Sequence, residues 1–194
     1  KFSYSGGGYQ ILQLFVEDQT KQRFDLAMNE MVLKPLGMDR SSFAQPINPD
    51  AIQPLTIATA EQQNVPFLSL FGTTKDTWKN YPEQAAAGLW TTSADYAVFG
   101  AALQRAYSGG DVLGVPNKIL QQAFIPVHKT YGLGLILDQS PNGKLNSFGH
   151  TGANFGYRCL FYFYPSKELG IVVMTNSPKG QRLMSDLLHE FERG

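Results

Sequence analysis

Residues 145–164 read LNSFGHTGANFGYRCLFYFY, and this stretch decides the fold of the C-terminal third of the chain. Its two ends, 145–151 and 157–164, have the apolar and aromatic composition that is typical of strands. Along the first strand and just beyond it, alternation sends His150 and Gly152 to one face and Thr151 to the other. The stretch therefore predicts two strands, with a histidine and a glycine on the same face.

Further strands are predicted on both sides of this pair, at 131–138 and 170–176. Pro141-Asn142-Gly143 and the group at 165–168 are turn signals between them. Helices are predicted from the glycine run at 6–8 onward, from about 24 to 33, from 93 to about 107, after Pro116 to about 122, and from about 181 to 191. Residues 40–82 lack periodicity and predict a loop-rich excursion that covers one side of a site.

Turn and cap residues mark the ends of two helices. Pro35 and Gly37 predict the end of the second helix. Ser93 is predicted to cap the helix at 93–107, and Asp95 suits its positive N-terminal end. The sum is an α/β fold of the α+β kind, in which a mostly helical lobe precedes an antiparallel sheet and a C-terminal helix. We expect one domain over 1–194, with the helical lobe at 1–125 and the sheet and closing helix at 126–194.

Composition and charge narrow the expected partners. The chain carries 16 basic and 16 acidic residues without a basic run, which gives no reason to expect a nucleic-acid partner. No stretch approaches the length of an apolar membrane span. The one cysteine, Cys159, lies in an apolar run and is predicted to be a packed thiol. The three histidines, His128, His150 and His189, are too scattered to predict a metal site, and no organic cofactor is implied.

Six segments carry chemical information, although each is weak by itself. They are Phe2-Ser3-Tyr4-Ser5-Gly6, Lys34-Pro35-Leu36-Gly37-Met38, Ala87-Gly88-Leu89-Trp90-Thr91-Thr92-Ser93-Ala94-Asp95, Tyr131-Gly132-Leu133-Gly134, Gly149-His150-Thr151-Gly152-Ala153 and Thr175-Asn176. In this order they resemble the serine β-lactamase-related family, which includes class C β-lactamases, penicillin-binding carboxypeptidases and esterases. The resemblance extends from Phe2 almost to the end of the chain.

The resemblance implies acyl transfer on an amide or ester bond of a small or peptide-like substrate. In such enzymes the serine of a Ser-x-x-Lys element attacks the carbonyl, and a lysine and a tyrosine manage its proton. Tyr4 matches the tyrosine, and His150 matches a lysine or histidine that sets protonation and substrate orientation. Thr151, Gly152 and Ala153 continue the substrate-facing strand, and the backbone N–H of Ala153 is expected to donate to the oxyanion.

Each candidate residue also has a structural interpretation. A tyrosine before a glycine-rich turn is often a packed ring, and His-Thr-Gly can be a glycine-spaced core strand with one satisfied histidine. Arg158 could meet a substrate carboxylate or serve as a structural partner on its strand. Trp90 and Tyr131 could line the pocket or belong to the core.

Two departures from the family pattern bear on activity. Gly6 stands where the family has the asparagine of Tyr-x-Asn, so the amide that would contact the substrate is missing. No serine stands three residues before any lysine, so these 194 residues contain no Ser-x-x-Lys. In the family that element lies upstream of the tyrosine. We therefore expect the nucleophile to lie upstream of Lys1 and this chain alone to be inactive.

Three interpretations stay open at this point. The chain is the C-terminal part of a serine hydrolase of β-lactamase, D-alanyl-D-alanine carboxypeptidase or carboxylesterase type; it is an ordinary enzyme shortened by proteolysis or truncation; or it is a non-catalytic binding or regulatory protein on the same fold. His150 in place of lysine favours an esterase or peptidase. If a front part is missing, the strand at 170–176 should lack one neighbour, and an N-terminal segment or another chain should cover its edge. The usual location of the family indicates an extracytoplasmic protein.

Overall fold

The computed structural model describes residues 2–48 and 80–194 and is built around a four-stranded antiparallel sheet. The strands are β1 (Ile136–Gln139), β2 (Leu145–Asn154), β3 (Tyr157–Tyr164) and β4 (Leu169–Thr175). Each strand pairs with the next one along the chain, so short turns connect the whole sheet. The predicted antiparallel sheet is therefore confirmed.

All described helices except the last precede the sheet. They are α1 (Gly6–Thr20), α2 (Phe24–Met28), α3 (Lys34–Leu36), α4 (Gln84–Ala87), α5 (Ser93–Tyr107), α6 (Asn117–Leu120) and α7 (Gly180–Arg193). A π-helical turn, Asn29–Leu33, joins α2 to α3, and a 3-10 turn, Gln121–Phe124, follows α6. None of the helices in the described ranges is long and apolar enough to cross a membrane. The predicted order, with helices first and then the sheet and a closing helix, is confirmed.

The first strand begins later than the sequence predicts. The expected strand at 131–138 starts only at Ile136, because the chain turns just before it. The N–H of Gly132 donates to the carbonyl of Leu135 at 2.9 Å, and Gly134 has a φ of +78°. This left-handed conformation favours glycine and interrupts an extended strand.

Two helix ends also differ from the prediction. The second helical stretch continues to Leu36, where Gly37 closes it in the left-handed conformation at φ +72°. The helix at 93–107 is capped by Thr92 rather than by Ser93, because Thr92 Oγ1 accepts the N–H of Asp95 at 3.1 Å. Most of the loop-rich excursion predicted at 40–82 lies outside the described residues.

The carboxylate of Asp95 does more than suit the positive end of α5. Its Oδ2 accepts the backbone N–H of Arg40 at 2.9 Å and the hydroxyl of Ser41 at 2.7 Å. Because the side chain is buried, these bonds tie the segment after α3 to the start of α5. Asp95 therefore joins two segments of the chain in addition to lying at the positive end of α5.

Helices α5 and α7 cover opposite faces of the sheet. On β3 the ring of Phe163 lies against Gly100 of α5, whereas Tyr164 contacts Phe191 of α7 with 5.6 Å between ring centroids. Successive strand residues point to opposite faces, so the two helices lie on different sides. The main apolar core lies on the α5 side; its buried members are Ala102, Ala106, Val112, Phe124, Leu135, Leu137, Leu145, Phe148, Phe161 and Phe163.

Two apolar surfaces are uncovered among the described residues. Strand β4 pairs only with β3 and is thus an edge strand within 2–48 and 80–194, as expected for the strand at 170–176. In α1 no residue is buried, and Ile11, Leu14 and Phe15 are 70%, 64% and 60% exposed. Apolar helix faces and strand edges of this kind are the surfaces that proteins normally cover with another segment or chain.

Helix α5 approaches the sheet so closely that residue 100 must be glycine. A Cβ at Gly100 would lie 2.0 Å from Cε2 of Phe163, and the same ring also lies against Gly170. We expect Gly100→Ala to lower the free energy of unfolding by about 1–3 kcal/mol, the usual cost of overpacking a core. Urea denaturation followed by circular dichroism measures this change.

Gly7→Ala is the matched control for this substitution. Gly7 is also helical, but the nearest atom to its Cβ would be Ser5 Oγ at 3.5 Å, an ordinary contact. Alanine should therefore keep or raise the stability there, by up to about 1 kcal/mol. Equal stability of Gly100→Ala and the unchanged chain would contradict the close approach of α5 to the sheet.

Candidate active site

Tyr4 lies immediately before the first helix. Ser5 caps α1, because the N–H of Gly8 donates to Ser5 Oγ at 3.2 Å and to the Ser5 carbonyl at 3.1 Å. Ser5 itself has an extended backbone, with φ −145° and ψ 113°. Tyr4 is thereby placed beside the N-terminal end of α1, where the unpaired N–H groups create a positive potential. Its side chain is 58% exposed.

The second part of the site is the C-terminal half of β2. Strand β1 pairs with β2 only as far as Gly149, whereas β3 pairs with it up to Asn154. Over residues 150–154, β2 therefore has a strand neighbour on one side only within the described ranges. An open strand edge of this kind presents the backbone donors and acceptors that bind an extended peptide.

Tyr4 and His150 meet at this place although 146 positions separate them in the sequence. Their ring centroids are 6.0 Å apart, and the ring planes are inclined by 29°. The structure thus places a phenol beside an imidazole at the point where β2 loses its β1 neighbour. Their catalytic roles are taken up below as a proposal.

The hydrogen bond of His150 identifies its tautomer. Its Nδ1 lies 2.6 Å from the carbonyl oxygen of Thr151, and a carbonyl can only accept. The proton of the neutral ring is therefore on Nδ1, which leaves a lone pair on Nε2. Nε2 is buried and has no hydrogen-bond partner among the described residues. A buried nitrogen of this kind is a ready acceptor for a hydroxyl.

Three further rings continue the ring contacts on the Tyr4 side of this pair. Phe2 stacks on His128 with 4.7 Å between centroids and 7° between planes, and it lies 5.4 Å from the ring of Tyr131. Tyr131 in turn lies 6.2 Å from Tyr4. We call the set Phe2, Tyr4, His128, Tyr131 and His150 the aromatic cluster. Phe2 belongs to the first motif segment, but its ring contacts are not predicted by the sequence, and His128 lies outside the motifs. These contacts join distant parts of the chain.

A second group of contacts surrounds the turn between β2 and β3. The side-chain amide of Asn154 donates to the carbonyl of Ala87 at 2.8 Å. Trp90 packs edge-on against Tyr157 with 5.6 Å between ring centroids. These contacts hold the segment that precedes α5 against the hairpin. Trp90 is thus half-buried and in contact with the β2–β3 hairpin, whereas Tyr131 contacts Tyr4 directly.

The residues that follow His150 on β2 lie on alternating faces. Thr151 and Ala153 are exposed, whereas Gly152 is half-buried. Gly152 is opposite Cys159 on β3, and a Cβ at residue 152 would lie 2.6 Å from Cys159 Sγ. The thiol therefore fills the space beside the glycine, which gives a packing reason for glycine at this position.

The two remaining predicted residues, Arg158 and Gly6, occupy different surroundings. Arg158 Nη1 donates to the carbonyls of Asn154 and Tyr157 at 2.8 and 2.7 Å, so its guanidinium holds the backbone of the β2–β3 turn. This is the structural interpretation of the arginine. Gly6 is the first residue of α1, and a Cβ there would meet no atom within 4 Å. A larger side chain would fit at position 6.

Two half-buried titratable groups near the site have raised pKa values, which favour their neutral forms. Burial raises the pKa of Tyr9, and the nearby phenols of Tyr4 and Tyr131 raise it further. Burial also raises the pKa of the Cys159 thiol, while a hydrogen bond from the N–H of Gly152 acts in the opposite direction. Tyr9 lies outside the family motifs, and nothing in the sequence distinguishes it from other apolar residues in the first turn of a helix. In the described part of the chain, no group of His, Cys, Asp and Glu is arranged to hold a metal ion.

Solved structures with this arrangement of helices and sheet define the fold as that of penicillin-binding proteins and β-lactamases. The chain is similar to a penicillin-binding protein from Bacillus halodurans, with 20% identity, a TM-score of 0.70, and coverage of 97% of this chain and 56% of that one. It is similar to SurE with D-Leu, with 22% identity, a TM-score of 0.73, and coverage of 99% and 43%. It is also similar to a D-stereospecific amidohydrolase from Streptomyces, with 18% identity, a TM-score of 0.63, and coverage of 91% and 51%. The chain thus spans about half the length of these structures.

The family is defined by a match along nearly the whole chain. The family model described as Beta-lactamase matches residues 1–192, and the chain therefore belongs to the β-lactamase family. Members of this family are serine hydrolases. No sequence among the curated proteins matches the chain. The resemblance that the ordered motifs predict is confirmed.

The protonation state of Cys159 leads to a prediction about its reactivity. Because burial raises its pKa, a smaller fraction of the thiol is thiolate at pH 8 in the folded chain than in the unfolded chain. Alkylation by iodoacetamide should therefore be slower in the folded chain than in the same chain unfolded in guanidinium. The unfolded chain is its own control, because Cys159 is the one cysteine. Equal rates in both states would contradict a protonated, packed thiol.

Proposed function

We propose that this chain supplies the proton-transferring and substrate-binding parts of a serine hydrolase that acts on amide or ester bonds. The observation that carries the proposal is the stacking of Tyr4 on His150, at 6.0 Å between ring centroids, beside the open edge of β2. Acyl transfer needs a proton carrier and a carbonyl-orienting strand next to one reacting bond. Small or peptide-like substrates suit a strand edge.

In this proposal each residue of the site has a separate task. Tyr4, as its phenolate, accepts the proton of the nucleophilic hydroxyl and returns it to the leaving group. The lone pair on Nε2 of His150 accepts a hydrogen bond or a proton beside it. Residues 151–153 orient the substrate backbone, and the N–H of Ala153 donates to the oxyanion as it forms.

The nucleophile is proposed to lie upstream of Lys1. No serine in residues 1–194 stands three positions before a lysine, and the chain spans about half the length of the solved structures that it matches. The edge of β4 and the exposed apolar face of α1 support a further segment, or another chain, that packs on them. We propose that the upstream segment covers these surfaces and brings the serine to Tyr4.

The substrate is proposed from the site and from the relatives together. His150 in place of a lysine favours an esterase or a peptidase, with carboxylesterase, D-alanyl-D-alanine carboxypeptidase and β-lactamase as the types considered. The structural relatives include a D-stereospecific amidohydrolase and a D-amino acid amidase complexed with D-phenylalanine. They support an amide or ester with a D-configured residue. Proteins of this fold are often extracytoplasmic, which supports the same location here.

A non-catalytic binding or regulatory protein on the same fold is the second candidate. The glycine at position 6 and the absence of Ser-x-x-Lys from residues 1–194 favour it. The contact between Tyr4 and His150 speaks against it, because a binding protein has no chemical need for a proton-transferring pair. The labelling experiment below separates the two candidates.

The proposal predicts which polypeptide a serine-directed probe labels. The 194-residue chain should not react with a fluorophosphonate, because covalent acyl transfer needs an activated hydroxyl. A longer polypeptide that includes the upstream residues should be labelled at a serine three positions before a lysine, as intact-mass and peptide mass spectrometry would show. Stoichiometric labelling of the 194-residue chain would refute the assignment of the nucleophile. An unreactive longer polypeptide would favour the non-catalytic candidate.

The same longer polypeptide tests the role of Tyr4. Tyr4→Phe keeps the ring against His150 but removes the hydroxyl, so turnover of an ester substrate should fall by roughly 10²–10⁴. Tyr107→Phe is the matched control, because the ring of Tyr107 packs on Phe124 in the core. An unchanged rate for Tyr4→Phe would remove the tyrosine from the mechanism.

Position 6 offers a test in which a side chain is gained. An asparagine at Gly6 meets no atom within 4 Å of its Cβ and replaces a glycine in a helix, so the melting temperature should stay equal or rise. If position 6 faces the substrate, Gly6→Asn should raise the kcat/KM of the longer polypeptide toward peptide-like amides. Gly7→Asn, on the next helical residue, is the control. An equal effect of both substitutions would argue against a special role for position 6.

A further inference from the structure

Ring contacts hold the residues that lead to the catalytic tyrosine. In the described part of the chain, no hydrogen bond or ion pair fixes the side chains of residues 2–4. Phe2 and Tyr4 are 41% and 58% exposed, and both rings contact Tyr131, at 5.4 and 6.2 Å. The ring of Tyr131 is thus in contact with both Phe2 and Tyr4.

The backbone of Tyr131 is fixed on a tight turn. Its N–H donates to the carbonyl of His128 at 2.8 Å, and its own carbonyl accepts the N–H groups of Val127 and His128 at 2.7 and 3.2 Å. On its other side the carbonyl of Thr130 accepts the N–H of Leu137 on β1 at 2.6 Å. The turn at 128–131 is therefore anchored to the sheet.

The same turn contacts Phe2 twice. His128 stacks on Phe2 with nearly parallel rings, and Tyr131 lies against Phe2 and then against Tyr4. The far side of Tyr4 is the stacking contact with His150. An anchored turn, two exposed rings and a histidine on β2 thus form one continuous series of aromatic contacts.

We propose that Tyr131 is a positioning residue, whose ring holds Phe2 and Tyr4 so that the Tyr4 phenol lies on His150. The ring and not the hydroxyl carries this role, because every contact described is made by the aromatic face or edge. The importance of the Tyr4 ring position for catalysis rests on the proposed function. The ring position itself is a property of the 194-residue chain and can be measured whether or not the proposed function is correct.

The test is a set of nuclear Overhauser measurements on the full 194-residue chain. The unchanged chain should show cross-peaks between the Tyr4 ring protons and the imidazole protons of His150. Tyr131→Leu should lose these cross-peaks and move the His150 imidazole resonances, because the ring-current field of Tyr4 is lost. Tyr131→Phe keeps the ring and should retain both signals. Phe2→Leu should weaken the cross-peaks without abolishing them.

Two controls separate positioning from a general loss of structure. Phe191→Leu removes a half-buried ring on α7 that packs on Tyr164, outside the aromatic cluster, and should leave the Tyr4 and His150 signals unchanged. His189, which is exposed on α7, provides reference resonances that should not move in the Tyr131 and Phe2 variants. If Tyr131→Leu fails to fold, the Phe2→Leu and Tyr131→Phe results still decide the question.

Any of three results would overturn the proposal. They are Tyr4–His150 cross-peaks that persist at full intensity in Tyr131→Leu, cross-peaks that vanish in Tyr131→Phe, and cross-peaks that stay unaltered in Phe2→Leu. A longer polypeptide that includes the upstream residues and is active provides a kinetic readout. There Tyr131→Leu should lower kcat more than it changes KM, and Tyr131→Phe should keep kcat near that of the unchanged polypeptide. An inactive longer polypeptide with intact cross-peak behaviour would refute the proposed function and leave the positioning role standing.

Discussion

The register between β2 and β3 sets the positions of both the apolar core and the candidate site. It places Phe148 opposite Phe163 and His150 opposite Phe161, so that alternate residues of β2 run along the face that α5 covers. A slip of one residue would turn every one of these side chains to the other face. Glycines add to the constraint, since a Cβ at Gly149 would lie 2.1 Å from the carbonyl oxygen of Phe161. The site can form only in the register that also builds the core.

The candidate site lies next to the apolar core, on the same strand. Along one face of β2, the fully buried Phe148 is followed by His150 and then by Gly152, and β1 no longer covers the strand from residue 150 onward. His150 therefore lies at the border between packed rings and an open strand edge. Its Nε2 is buried and meets no partner among residues 2–48 and 80–194, and a buried acceptor that stays unpaired usually costs about 1–3 kcal/mol. A hydroxyl that approaches the open part of β2 would satisfy this acceptor.

The sequence predicts well those features that are local. Strands β2 and β3 follow from the composition of residues 145–164, and Gly37 ends its helix as expected because one residue in the left-handed region is enough to stop it. The start of β1 is not local, since Gly132 lacks a side chain for a tertiary reason: a Cβ there would lie 2.2 Å from the carbonyl oxygen of Ala123. The Thr92 cap differs from the predicted Ser93 by one position, because neighbouring hydroxyls compete for the same N–H groups.

The residues of the candidate site also differ in whether the local sequence or only the folded chain identifies them. Tyr4 and His150 are found in the sequence through the order of the family motifs, whereas Tyr9 and His128 lie outside the motifs and approach the site only in the folded chain. The uncovered face of α1 extends this argument. Burying each of Ile11, Leu14 and Phe15 contributes about 1.5–3 kcal/mol, so a segment that packs there gains much of its binding energy from α1. Helix α1 begins two residues after Tyr4, so its uncovered apolar face and the aromatic cluster are adjacent along the chain.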